Sequence, residues 1–196
     1  MKHLIILSFI ILFSFTVYGQ CSQRAENLIK EGVALHKKAD YQGAIAKYKQ
    51  AIKSSDECIL AYYELSYSQI VSERYKDAIK TCKSALKVDS DDDDNIELIY
   101  TSYGSALDKD GDFDEAVKIY KEGLQKYPES YRIYFKLGLC YYGNEDTTLA
   151  LLCFQKAVEI EHFSSNSHNA LAHLNVDNKI ARIMALSCCL ANEPYG

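Results

Sequence analysis

Alternating carboxylates around a glycine are the first residues in this chain whose spacing suggests chemistry. Four aspartates flank Gly111 between Asp108 and Asp114, and a calcium loop uses such an alternation to bring oxygens round one ion. The glycine comes too early for the EF-hand order, and the twelfth place counted from Asp108 holds Ile119 instead of glutamate. We therefore interpret the stretch as a turn between two helices, and we expect no metal site there.

A second acidic run holds five aspartates between Asp89 and Asp94, interrupted by Ser90 and followed by Asn95. We interpret it as a solvated loop that places negative charge near a helix N-terminus, where the helix dipole favours it. A weak cation site in this run is the alternative.

Catalytic constellations are missing from the sequence. It contains no G-x-S-x-G, no H-E-x-x-H and no phosphate-binding glycine loop. His168 and His173 lie five residues apart, which puts them about 140° apart round a helix, so they do not share a metal. We expect no catalytic residue, no metal and no cofactor, and hence a protein that is not an enzyme.

Net charge argues against nucleic acid as the partner. The formal net charge is −5, and the lysines and arginines are spread along the chain. Binding to phosphates requires these side chains to gather on one basic face. We therefore expect a protein or peptide partner.

The first 19 residues have the composition of an export signal. A short basic start leads into an uncharged apolar run from Leu4 to Val17, and its length of about 14 residues is too short to span a bilayer comfortably as a helix. Small or apolar residues before the boundary predict cleavage after Gly19, so that the mature chain begins at Gln20. An uncleaved anchor helix is the alternative.

Cys21 introduces a further alternative, because it stands just after the apolar run, where a lipoprotein carries its acylated cysteine. Bacterial lipoprotein signals have Gly, Ala or Ser in the place that Gln20 occupies here. We expect an exported protein that resides in the periplasm, with secretion or a lipid anchor at Cys21 as the less favoured outcomes.

The elements that carry these residues follow from a repeat. An alanine returns after 34, 38 and 34 residues, each time followed seven residues later by a small residue. The pairs are Ala44 and Ala51, Ala78 and Ala85, Ala116 and Gly123, and Ala150 and Ala157. A period in this range predicts a solenoid of helical hairpins.

Numbering the first alanine of each pair as position 20 of a 34-residue unit brings other recurring residues into register. Position 8, on the first helix, is small, which lets two antiparallel helices approach closely: Gly32, Ser66, Gly104 and Gly138. Position 24, on the second helix, is bulky in three units and predicts filling of the space between hairpins: Tyr48, Cys82, Tyr120 and Phe154.

These residues resemble the tetratricopeptide repeat (TPR) family. The segments Asp40 to Ala44 and Gly111 to Ala116 are similar to its turn signature, and Pro128 occupies its terminal proline position. The resemblance extends from Ala25 to about His162. It implies an all-α fold, a right-handed superhelical solenoid of helix-turn-helix hairpins.

The predicted organisation has four clear repeats and a degenerate fifth. The segments are a signal peptide (1–19), a mature amino-terminal segment (20–24), repeat 1 (25–58), repeat 2 (59–92), an acidic insertion (93–96), repeat 3 (97–130), repeat 4 (131–164) and repeat 5 with an incomplete cap (165–196). The insertion accounts for the spacing of 38.

A concave binding groove is what the resemblance implies for function. In TPR proteins the first helix of each hairpin lines this surface, and positions 2, 5, 6, 9, 12 and 13 point into it. The groove residues that we expect to bind the partner are Tyr63, Tyr67, Ile70, Arg132, Phe135, Lys136, Leu139 and Tyr142. Aromatic anchors beside two cations favour an extended or helical peptide. The alternative is that some of these tyrosines only pack between hairpins.

Chaperone-binding TPR proteins use a cation pair similar to Arg132 and Lys136, together with asparagines in the preceding units. Tyr63, Tyr67 and Ser102 stand in those places here. The resemblance therefore does not extend to a complete carboxylate clamp.

The seven cysteines are irregularly spaced and include no C-x-x-C pair, which argues against a zinc site. They are Cys21, Cys58, Cys82, Cys140, Cys153, Cys188 and Cys189. Because Cys82 and Cys188 stand where other repeats place an aromatic core residue, we expect small buried side chains. A disulfide framework is the alternative.

The carboxyl-terminal end lacks the polar outer face that usually protects a solenoid. The stretch from Ile183 to Ala191, in the predicted helix from Lys179 to Asn192, contains no charge, which suits burial on more than one side. The main hypothesis is a protein-interaction module of the bacterial cell envelope. The second is an assembly or oligomerisation piece that acts through this end, within a longer protein or a self-associated one.

Overall fold

The structure is a computed structural model that describes residues 21–89, 92–161 and 165–174. Within these ranges the chain forms nine α-helices joined by short turns. They are α1 (Gln23–Lys37), α2 (Tyr41–Ser54), α3 (Ile59–Val71), α4 (Tyr75–Ala85), α5 (Asp93–Asp110), α6 (Phe113–Lys126), α7 (Tyr131–Gly143), α8 (Thr147–Ile160) and α9 (Ser165–Leu174). Consecutive helices pack against each other, which makes four hairpins and the first helix of a fifth. The prediction of an all-α solenoid is confirmed.

The turn inside each hairpin has the same backbone conformation. Position 15 adopts the left-handed conformation in all four units, at Ala39, Glu73, Gly111 and Glu145. The next N–H then donates back across the turn, as from Asp112 to the Leu107 carbonyl at 2.9 Å. Only Gly111 avoids the steric cost of a positive φ. The acidic stretch around it is a helix-to-helix turn, as interpreted from the sequence.

Aspartate at position 16 caps the second helix of three hairpins. The side chains of Asp40, Asp112 and Asp146 accept from the backbone N–H three residues on, at 2.9, 3.4 and 3.0 Å. Each bond satisfies one of the N–H groups that a helix start leaves without a partner. In the second hairpin Arg74 stands at this position and forms an ion pair with Asp77 at 2.6 Å instead.

Position 8 makes room for the ring at position 24 of the same hairpin. A Cβ at Gly32 would lie 2.5 Å from the Tyr48 ring, and one at Gly138 would lie 2.6 Å from Phe154. The ring therefore lies over its own hairpin's glycine, whereas the sequence predicted that it fills the space between hairpins. The second hairpin replaces glycine and ring by Ser66 and Cys82, both fully buried.

The acidic insertion forms helix where the sequence predicted a loop. Helix α5 begins at Asp93, so residues 93–96 add a turn to its start. Asp92 caps it by accepting from Asn95 N at 3.3 Å and from Asn95 Nδ2 at 2.7 Å. Acidic residues favour the first turn of a helix because of its dipole, and here that preference extends the helix itself.

The cysteines divide into two groups. Cys82 and Cys140 are buried thiols and Cys153 is half-buried, as expected of small apolar side chains. The same expectation is wrong for Cys21 and Cys58, which form a disulfide. The repeat brings the starts of α1 and α3 together, so that the two Cα atoms lie 4.6 Å apart, within the range a disulfide can bridge.

Part of the sequence-based prediction lies outside the described residues: the signal peptide, the cleavage after Gly19, the second helix of repeat 5 and the apolar stretch from Ile183 to Ala191. The first helix of that repeat, predicted to run to about Asn175, is helical over the described residues Ser165–Leu174. Within the described ranges no helix has the length and apolarity needed to cross a membrane.

Candidate partner-binding groove

The first helices of the hairpins lie side by side and share one face. Helix α3 packs against both α1 and α5, and α5 packs against α7. We call the outward surface of these first helices, α1, α3, α5 and α7, the groove. Six large hydrophobic side chains in the described residues are exposed, and four of them lie in the groove: Tyr67, Val71, Leu139 and Tyr142. Exposed apolar surface is therefore concentrated on this face.

The predicted groove residues separate by exposure. Tyr67, Leu139 and Tyr142 are exposed by 44%, 39% and 53%. Tyr63, Ile70 and Phe135 are half-buried. The Phe135 ring lies 5.7 Å from that of Phe154, so it also contributes to hairpin packing. The exposed residues have surface to offer a partner, and the half-buried ones mainly support them.

Tyr67 belongs to a row of four rings, which we call the aromatic wall. Its ring stacks on the rings of Tyr63 and His36, with ring centres 6.3 and 5.2 Å away. The rings of His36 and Tyr41 are packed edge to face, with their centres 5.1 Å apart. Stacked and edge-to-face pairs at such distances stabilise one another. The wall therefore presents Tyr67 in a fixed orientation.

His36 and Tyr41 were missed as contributors to the groove. His36 occupies position 12 of unit one, one of the positions that point into the groove in TPR proteins, so the register could have included it. Burial lowers the pKa of His36. Its Nδ1 lies 2.6 Å from Ser68 Oγ, which holds the ring against Tyr67.

Small side chains separate the two apolar sides of the groove. On α5, between Tyr67 of α3 and Leu139 of α7, lie Thr101, Ser102 and Ser105. Thr101 and Ser102 are buried, and the Thr101 hydroxyl donates to the Leu98 carbonyl at 2.7 Å. The floor of the groove is thus low and polar, and its sides are aromatic and aliphatic.

The two predicted cations differ in their surroundings. Arg132 is half exposed, and its guanidinium lies 3.7 Å from the Glu97 carboxylate and 4.9 Å from the Tyr131 ring centre. Lys136 is half-buried, and burial followed by repulsion from Lys109 lowers its pKa. Arg132 is therefore partly engaged in the fold, whereas Lys136 is a desolvated cation in the groove.

On the opposite side of the groove Glu64 is half-buried, and burial raises its pKa. Burial also raises the pKa of Tyr63, with further contributions from Glu64 and Tyr67 and an opposing one from Arg132. The acid and the phenol on this side of the groove are therefore both partly desolvated.

The pair His36 and Ser68 has the atoms of a catalytic dyad but not its accessibility. Ser68 is fully buried, so its hydroxyl cannot reach a substrate, as a nucleophile must. Among the described residues no group of three or more His, Cys, Asp or Glu side chains is placed to hold a metal ion.

A solenoid of hairpins with exposed aromatic and aliphatic side chains on the face of its first helices belongs to the class of repeat scaffolds that bind other proteins. The family model of the tetratricopeptide repeat matches residues 29–95 and 104–165. The chain therefore belongs to the TPR family. Members of this family generally act as interaction scaffolds.

Two curated relatives are much longer than this chain. Human superkiller complex protein 3 is 24% identical over 180 residues, which cover 70% of this chain and 12% of that protein. A TPR repeat-containing protein of Methanocaldococcus jannaschii is 24% identical over 160 residues, which cover 78% of this chain and 27% of that protein. The chain matches only a small part of either relative.

Solved TPR structures share the fold. A thermophilic TPR protein of Thermus thermophilus superposes with a TM-score of 0.70 at 18% identity, covering 87% of this chain and 92% of that one. The pilF protein of Pseudomonas aeruginosa gives 0.69 at 17% identity, with 88% and 78% covered. YrrB, described as a TPR protein with an unusual peptide-binding site, gives 0.52 at 18% identity, with 85% of each chain covered.

Proposed function

We propose that this protein is a non-enzymatic interaction module of the bacterial cell envelope that binds a peptide or protein segment in its groove. The observation that carries the proposal is the concentration of exposed Tyr67, Leu139 and Tyr142 on the shared face of α3 and α7. Contiguous exposed apolar surface with a polar rim is typical of interaction sites. Tyrosine is also among the residues that contribute most binding energy per side chain.

The groove suits an elongated ligand with apolar side chains. Tyr67 on α3 and Tyr142 on α7 stand on either side of the low floor of α5. A ligand that fills this space contacts both sides at once, and the aromatic wall is already ordered before binding. Preorganisation of this kind reduces the entropy that association costs. Lys136 adds a cation that a ligand carboxylate would stabilise.

A binding role without catalysis is favoured by the chemistry of the same face. The buried Ser68 hydroxyl is engaged with His36, and the exposed groove residues are rings and aliphatic side chains. The groove offers contact area but no arranged nucleophile and base. We extend this conclusion to the whole chain as part of the proposal.

Export to the envelope is supported by the disulfide as well as by the leader-like first residues. Disulfides persist in oxidising compartments such as the bacterial periplasm and are rare in the cytosol. The bond between Cys21 and Cys58 also occupies the sulfur that a lipid anchor would require. We therefore propose a periplasmic protein that is not acylated at Cys21.

The binding proposal is tested with the double variant Tyr67→Ala/Tyr142→Ala, used as bait in the envelope fraction and compared with the native mature chain. The matched control is Leu149→Ala/Leu152→Ala, which removes two exposed leucines from α8. Partners identified by mass spectrometry with the native bait should be lost from the tyrosine variant and retained by the leucine variant. Equal retention by both variants would contradict the proposal.

A second candidate function, self-association through the carboxyl-terminal end, is favoured by α8. Leu149 and Leu152, exposed by 38% and 55%, occupy positions 19 and 22 of the fourth unit. In the third unit these positions hold Glu115 and Lys118, which form an ion pair at 3.1 Å. The fourth hairpin thus presents apolar side chains where its neighbour is charged.

Light scattering on the mature protein tests this second function. If α8 joins two copies, the double variant Leu149→Glu/Leu152→Glu should be monomeric at concentrations where the native protein is a dimer. A native protein that is monomeric throughout would exclude it.

A further inference from the structure

The first hairpin shares a hydrophobic core with one side of α3. Buried residues of α1 and α2 cluster with one side of α3, including Ala61 and Leu65. The other side of α3, beginning with Ile59, belongs to the core of the following hairpins. Because α3 is shared, the position of the first hairpin relative to the groove depends on how α1 and α2 dock on α3.

Helix α1 is attached to α3 at its two ends. It packs against α3 more sparsely than α3 packs against α5. At the start, the disulfide joins Cys21, which precedes α1, to Cys58, the residue directly before α3. About 22 Å further along, the length of a 15-residue helix, His36 Nδ1 meets Ser68 Oγ at 2.6 Å.

The second attachment is also part of the groove. His36 and Tyr41 belong to the first hairpin, whereas Tyr67 and Tyr63 belong to α3. The aromatic wall therefore crosses the boundary between the two hairpins, with the His36 and Tyr67 rings meeting at 5.2 Å. A change in the angle between α1 and α3 would separate these rings.

We propose that the Cys21–Cys58 disulfide is a positioning element of the groove, which holds the first hairpin at the angle that completes the aromatic wall. This inference rests on the proposed binding function. A dithiol reductant would reverse it: two electrons and two protons convert the bond into two thiols while the reductant becomes a disulfide. The first hairpin then stays packed on α3 through α2 and the shared core, but His36 no longer stacks against Tyr67.

The test uses the mature protein with Cys21→Ala/Cys58→Ala, since alanine suits the fully buried site of Cys58. The matched control is Cys153→Ala, at a half-buried cysteine outside the disulfide. The readout is the NMR signal of the His36 imidazole, assigned with His36→Gln. In the double variant its ring-current shift should be lost and its pKa should rise towards the ordinary value, because the ring becomes solvated. The control should match the native protein.

A folded double variant with unchanged His36 shifts and pKa would overturn the inference. If that variant does not fold, native protein reduced by a dithiol and alkylated under folding conditions supplies the same readout. An intact mass showing a diacylglyceryl group on Cys21 would also overturn it.

Partner binding should weaken about 2- to 12-fold in the double variant, which is the contribution of one pair of aromatic rings. Loss of capture by Tyr67→Ala/Tyr142→Ala tests the groove independently of the disulfide.

Discussion

The packing of position 8 against position 24 is tested most sharply by moving the residue pair of one hairpin into another. The second hairpin combines Ser66 with Cys82, and the third combines Gly104 with Tyr120. Transplanting the first pair into the third hairpin requires Gly104→Ser and Tyr120→Cys. If the two positions share one volume, each single change should be costly and the second should relieve the first.

The magnitudes follow from the geometry. A Cβ at Gly104 would lie 2.5 Å from Tyr120 Cε1 and 2.8 Å from Cδ1, so Gly104→Ser overpacks the site and costs about 1–3 kcal/mol. The better helix propensity of serine offsets up to about 0.5 kcal/mol of this. Tyr120→Cys leaves a cavity and costs about 3–5 kcal/mol. It also removes the bond between the Tyr120 hydroxyl and Ser105 Oγ at 3.0 Å.

Urea unfolding of the native protein, both single variants and the double variant measures the coupling. The double variant should be more stable than the sum of the single effects predicts by about 1–2 kcal/mol. Gly143→Ser is the control, because a Cβ there would meet no atom within 4 Å. Additivity within about 0.5 kcal/mol would refute the shared-volume argument, as would a cost at Gly143 equal to that at Gly104.

Three other consequences are measurable. The disulfide closes a loop with a sequence separation of 37 and so restricts the unfolded chain. The variant Cys21→Ala/Cys58→Ala should therefore lose about 4 kcal/mol of unfolding free energy. A melting temperature equal to that of the native protein would contradict this. Burial lowers the pKa of His36 below its ordinary value of 6.5, so on acidification the unfolded chain binds the proton before the folded chain does. The free energy of unfolding should therefore fall as the pH drops below 6.5. His36→Gln should remove this part of the pH dependence, and a pH profile identical to that of the native protein would refute the argument. Lys136 is half-buried without an ion pair among the described side chains, and burial lowers its pKa. Lys136→Met should therefore stabilise the fold, because it removes the cost of burying the charge. A lower urea midpoint for the variant would contradict this.

The sequence predicts features of the fold that recur locally. The small residue at position 8 and the alanine at position 20 are set by contacts within one hairpin, so their spacing reveals the hairpins. The turn at Gly111 was also predictable, because acidic N-caps and a left-handed glycine have a local signature. Family membership followed from the same periodic residues.

Features that depend on contacts between hairpins were harder to predict. The disulfide joins Cys21, in the segment before repeat 1, to Cys58 at the end of that repeat, and irregular spacing gave no reason to pair them. The stacking of the His36 and Tyr63 rings on Tyr67 depends on the angle between α1 and α3, which the repeat register does not specify. Residues 93–96 were assigned to a loop because they account for the four extra residues in the spacing of 38, whereas the structure adds them to the first turn of α5, where the dipole favours acidic residues.

The central claim, that the groove binds the partner, is tested most directly by site-specific photocrosslinking. A photoreactive side chain replaces Tyr67 or Tyr142 in the groove and, separately, Lys118 or Leu152 on α6 and α8, and the mature protein is irradiated with the envelope fraction. Binding in the groove predicts a discrete crosslinked partner from the two groove positions and none from the other two. A partner crosslinked from Lys118 or Leu152 but not from Tyr67 or Tyr142 would contradict the claim.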